Sequence, residues 1–131
     1  ARHRRREGLA VLISDLLAPA DAIEAGLRAL SRARFNVALI EVRDPSDDAF
    51  PGAGSLVRAV DRETREARLF TIDEENRRRF LQAVEGHRAA VDRTADRLGA
   101  PIFRYRTSEG AEEFLLGALP SLGLLRARRR C

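Results

Sequence analysis

The chain has 131 residues, 44% of them apolar, which suits one globular unit with a core of its own; no run approaches the roughly 18–20 apolar residues of a bilayer span. The formal net charge is +4 and every one of the 24 basic residues is arginine, but the excess sits at the ends, in Arg2, Arg4, Arg5 and Arg6 and in Arg126, Arg128, Arg129 and Arg130, so the body between is mildly acidic. A lone Cys131 excludes an internal disulfide or a thiolate metal cage, and no signal-peptide core follows the arginine-rich start.

Residues 1–8 read as a basic segment, with His3 part of that solvated tail. Leu9 to Ser14 (LAVLIS) is apolar on both faces, as in a strand covered by helices on each side of a parallel sheet, and is expected to be central. Pro19 breaks the chain. Asp21 and Glu24 make a D-x-x-E capping box for a helix over about 21–34, with Ile23, Leu27 and Leu30 at helical spacing. Phe35 to Val42 (FNVALIEV) is a second buried strand, stopped at Arg43-Asp44-Pro45.

A Pro/Gly loop (44–55) leads to a predicted β-hairpin over about 56–72, with Leu56–Val60 and Ala67–Ile72 as its strands around the polar turn DRETRE. Asp73 to Leu98 carries the longest helical pattern, with Phe80, Val84, His87, Val91 and Leu98 on one stripe, and Gly99 with Pro101 ends it. In Ile102–Arg106 (IFRYR), Phe103 and Tyr105 share one face and Arg104 and Arg106 the other, which marks an edge strand. Ser108 is placed to cap a last helix through about Leu119, before Pro120 and the basic tail at 126–131.

The order is α/β, strand-helix-strand-hairpin-helix-strand-helix, and the three principal strands become more exposed from first to last. The most apolar of them carries no charge or proline to protect an edge, so a neighbour is expected for it: either more chain before Ala1 in the native protein, or a second copy pairing through residues 9–14.

In open parallel sheets ligands bind beyond the carboxyl ends of the strands, which places Ser14-Asp15, Asp44 and Thr107-Ser108 together. Asp15 is an oxygen ligand of the type Mg²⁺ takes, or else a loop cap. Asp44, Asp47 and Asp48 lack calcium-loop spacing and read as a solvated turn. His87 reads as a hydrogen-bonded boundary residue. Ser14 has only His87 as a prospective base, no G-x-S-x-G elbow exists, the glycines of PGAGS fail the dinucleotide fingerprint, and there is no GK[ST] loop. No self-contained active site is expected.

The ordered segments GLAVLISDLLAP, FNVALIEVRDP, DRETREARLFTID and FLQAVEGHRAAVDRTADRLGAPIFRYRTSEG resemble the C-terminal half of the bacterial domain of unknown function 58 family, which is von Willebrand factor A-like. The similarity covers about residues 5–125. Its turn departs from the family form D-P-E-T-G-E by lacking the proline and the glycine, here Arg62 and Arg65. The resemblance implies a three-layer, doubly wound, Rossmann-like sheet of order 3-2-1-4-5-6, of which residues 9–125 supply the last three strands. Of a metal-ion-dependent adhesion site it implies only the aspartate after the fourth strand, Asp15. Mg²⁺ is thus implied for the full-length domain and not expected to bind tightly to this fragment. It further implies a non-enzymatic, protein-binding or scaffold role, a MoxR-type AAA+ ATPase as partner class in assembly or maturation, and a cytoplasmic location or the cytoplasmic face of a membrane. The alternative is a nucleic-acid-associated module acting through the arginine-rich termini.

Overall fold

A computed structural model describes residues 8–48, 51–61 and 63–122. The elements are β1 (Gly8–Ser14), α1 (Ala20–Arg32), β2 (Phe35–Arg43), a 3-10 turn (Pro45–Asp48), β3 (Leu56–Val60), β4 (Ala67–Thr71), α2 (Glu74–Leu98), β5 (Ile102–Arg106) and α3 (Ala111–Ser121). The chain forms two compact units: one comprises residues through Pro45 and from Ala90 onward, the other residues 46–89. The arginine-rich ends lie outside the described residues.

The first unit holds a parallel sheet of order β1-β2-β5. β2 is paired on both sides and is its most buried strand, from Val37 through Glu41. Leu39 on β2 is fully buried and packs with Ile23 and Leu27 of α1 and Val91 and Ala95 of α2. Each of the leucine, isoleucine and valine side chains contributes about 1.5–3 kcal/mol, and the Ala95 methyl less. Strand alternation separates Ile102, which packs against this cluster, from Tyr105, whose ring lies 5.0 Å from that of Phe114 on α3. Helices therefore lie on both faces of the sheet, α1 and α2 against β2 on one and α3 against β5 on the other.

Among the described residues only β2 pairs with β1, so the second neighbour expected for this apolar strand is not among them, and Val11, Leu12 and Ile13 are exposed, Ile13 by 65%. β5 is an edge strand, as its alternating arginines predict.

Helix ends follow local chemistry. Pro19 stands at the N-cap of α1, so the helix starts one residue earlier than the D-x-x-E pattern predicts. Asp21 then falls inside the first turn, where its carboxylate accepts the Ala22 N–H, and the capping box does not form; Glu24 instead pairs with Arg28 and Arg97. Asp73 caps α2, accepting the Asn76 N–H at 2.6 Å. Gly99, at φ +66°, closes it in a Schellman motif, with Ala100 N–H donating to Ala95 O and Gly99 N–H to Asp96 O. Ser108 does not cap α3. Gly110 holds that position without a side-chain bond, because residues 107–109 are spent on a turn in which Glu109 N–H donates to Arg106 O. The predicted stripe on α2 is buried only toward its C-terminal end; Phe80 is 43% exposed.

The second unit contains the hairpin, β3 antiparallel to β4 with Val57 opposite Phe70. Asp61 organises its turn: one carboxylate oxygen accepts the N–H groups of Glu63 and Thr64 at 2.8 and 3.0 Å, and its backbone bonds Arg65 and Glu66. The Thr64 and Glu63 N–H donors hold the Asp61 carboxyl below its ordinary pKa. Arg65 sits at φ +62°, a left-handed conformation that a side chain adopts at a cost of about 1–2 kcal/mol, and it occupies the glycine position of the D-P-E-T-G-E form. Because glycine loses about 0.5–1 kcal/mol of chain entropy on ordering, Arg65→Gly is expected to stabilise the hairpin by up to about 1 kcal/mol. Slower amide exchange across β3 and β4 is the readout; unchanged or faster exchange would show that Arg65 bears no strain.

Candidate functional site

The carboxyl ends of the three parallel strands bring Ser14-Asp15, Asp44 and Thr107 to one edge of the sheet. After β1 the chain turns sharply. Ser14 Oγ accepts the Leu16 N–H and Asp15 Oδ1 accepts the Leu17 N–H, both at 3.1 Å. Leu16 takes φ +55° and is 4% exposed, packed into the core cluster. Burying a leucine is worth about 1.5–3 kcal/mol, enough to offset the about 1–2 kcal/mol of left-handed strain. The anchored Leu16 leaves Asp15 on the surface with Leu17, which is 74% exposed.

Asp44 is engaged elsewhere. Thr107 Oγ1 donates to its Oδ2 at 3.0 Å, and Thr107 N–H donates to Arg43 O, fastening the end of β5 to that of β2. Among the described residues no three His, Cys, Asp or Glu side chains converge as a metal cluster. Asp15 alone does not make a cation's donor set, and no metal chemistry follows from it here. The Asp47 and Asp48 side chains lie outside the described residues. Ser14 belongs to the first unit and the half-buried His87 to the second.

The most organised polar group is one that composition and spacing do not single out. Glu41, on the doubly paired strand, is 5% exposed. Its Oε2 accepts from Arg104 Nε at 2.8 Å and its Oε1 pairs with Arg43 Nε at 3.0 Å, while Arg104 also reaches Asp92 on α2. Parallel register aligns Ser14, Glu41 and Arg104 across all three strands. Desolvation works against the Arg104 charge, but Asp92 and Glu41 outweigh it and hold the guanidinium above its ordinary pKa. The available signals were a lone glutamate in FNVALIEV and the arginines on one face of IFRYR; their meeting depends on strand register.

Leaving buried charges unpaired costs about 3–5 kcal/mol, less here because the Arg104 side chain is 49% exposed. Glu41→Gln is therefore expected to lower stability by about 2 kcal/mol in denaturant titration. Glu75→Gln, which removes the surface pair with Arg79, should stay within about 0.5 kcal/mol. Equal effects would contradict the structural role of Glu41.

The family described as "Protein of unknown function DUF58" matches residues 1–90. A Mycobacterium avium protein, "Uncharacterized protein MAV169", is 45% identical over 106 residues, 81% of this chain and 61% of its own length. The Mycobacterium tuberculosis protein "Uncharacterized protein Rv1480" is 43% identical over 106 residues, 81% of this chain and 32% of its own. The chain thus spans less than two thirds of either relative. No solved structure matches. Among the described residues no helix is long and apolar enough to cross a membrane.

Proposed function

The chain belongs to the DUF58 family, and on that premise we propose that it is a non-enzymatic protein-binding or scaffold module, built as the C-terminal half of a von Willebrand A-like domain. The observation that carries this reading is β1: a strand apolar on both faces, exposed at Val11, Leu12 and Ile13, with one edge unpaired among the described residues. An apolar strand of this kind, without charge, proline or bulge, is a template for strand addition. In the longer family members the remaining length of the protein supplies the neighbour; in the 131-residue chain alone a second copy takes its place.

In this reading Asp15 is the one residue of a metal-ion-dependent adhesion site that the chain contributes. Mg²⁺ binding then belongs to the complete domain, and this chain by itself does not hold the ion tightly. Binding replaces catalysis as the output, and the partner class is the MoxR-type AAA+ ATPase that the von Willebrand A-like resemblance implies, acting in assembly or maturation at the cytoplasmic side.

Ile13→Lys tests the use of the edge, because it places a charge on an exposed position of β1 without touching the buried cluster. The wild-type chain is expected to sediment as a dimer at high concentration and the variant as a folded monomer. A wild-type monomer, or a dimer indifferent to Ile13→Lys, would sink the reading.

A further inference from the structure

The hairpin of the second unit carries an exposed apolar face of its own. Alternation puts Leu56, Arg58 and Val60 of β3 on one side with Ala67, Leu69 and Thr71 of β4. Leu56, Leu69 and Val60 are exposed by 68%, 65% and 50%. Three large aliphatics on one side of a two-stranded ribbon are a patch, not scattered surface residues.

Arg58 stands at its centre, between Leu56 and Val60 along the strand and opposite Leu69 across it. It makes no ion pair or hydrogen bond with any described residue, although Glu63 and Glu66 lie in the same hairpin. Arginine, unlike the other charged residues, is enriched where proteins meet, so its place among exposed aliphatics suits a docking surface.

The central charge discriminates between occupants. A second copy meeting this face about a twofold axis would bring Arg58 toward its own counterpart, so like charges would meet where the contact is driest. An anionic lipid surface would gain little, because the exposed Asp61, Glu63 and Glu66 at the tip offset the exposed Arg65 and Arg68 beside them. A protein segment with an acidic side chain between apolar ones satisfies both the aliphatics and the guanidinium. We propose that the Leu56–Arg58–Val60/Leu69 face of the hairpin is a docking surface for an extended segment of another protein, with an acidic residue flanked at alternate positions by apolar ones. The site does not depend on Asp15 or on the edge of β1.

The test is a phage-displayed library of random dodecapeptides panned on the full chain. Enriched peptides are expected to share the apolar-acid-apolar alternation. Their affinity should fall about tenfold or more with Arg58→Gln, the size of a lost charge-assisted hydrogen bond, and comparably with Leu69→Ser. Both positions are exposed, and circular dichroism checks that the variants fold. Replacing the acid of a selected peptide by its amide should cost the same factor on the wild type and nothing on Arg58→Gln. No enrichment, enrichment without the acid, or binding indifferent to both variants would overturn the proposal. So would sedimentation to anionic vesicles of phosphatidylserine and phosphatidylcholine, or a dimer of the chain itself, when either is abolished by Leu69→Ser.

Discussion

Everything in the first unit is arranged around β2 being hydrogen-bonded on both sides. That pairing satisfies the backbone of the most buried strand, from Val37 to Glu41, and fixes the register that sets Leu39 against α1 and α2. A parallel strand buried on both faces can be almost wholly apolar, because its polar groups are consumed by its neighbours. β1 has the same kind of sequence and, among the described residues, one neighbour. The mismatch between what β1 is made of and where it sits is the physical basis for reading the chain as a binding module.

The exception on β2 follows from the same pairing. Glu41 can be buried because parallel register delivers Arg104 beside it and Arg43 lies two residues on along the same face, so its charge is compensated from two directions. Arg104 carries the link onward to Asp92 on α2. Thr107 and Asp44 repeat the device at the strand ends with neutral-to-charged hydrogen bonding. These ties make the edge near β5 a fastened structure, in contrast to the apolar edge of β1, which no other described strand pairs.

Much of this was legible in the sequence, since the strands, the hairpin and the long helix announce themselves by period and by punctuation. Gly99 and Pro101 mark the end of α2 because only a left-handed residue closes a Schellman motif there. Caps were less legible. Asp21 and Ser108 carry the right chemistry, but Pro19 and Gly110 took the cap positions, and a shift of one or two residues changes the partner of every side chain in the first turn. The site was legible as positions only: the carboxyl ends of the strands do gather Ser14, Asp15, Asp44 and Thr107, yet Asp44 spends its carboxylate on Thr107. The Glu41 cluster and the Arg58 face were not legible, because each depends on which residue lies across the sheet.

Hydrogen exchange along β1 reads whether its outer edge is open. Only alternate amides of an edge strand bond to its neighbour, so in the dilute monomer half of the β1 amides should exchange as solvent-exposed groups while those of β2 stay protected. As the chain is concentrated, the outward set should gain protection, and in Ile13→Lys it should not. Outward amides protected at every concentration would mean that the edge is already covered within one molecule, and the account of β1 as an unfinished strand would be wrong.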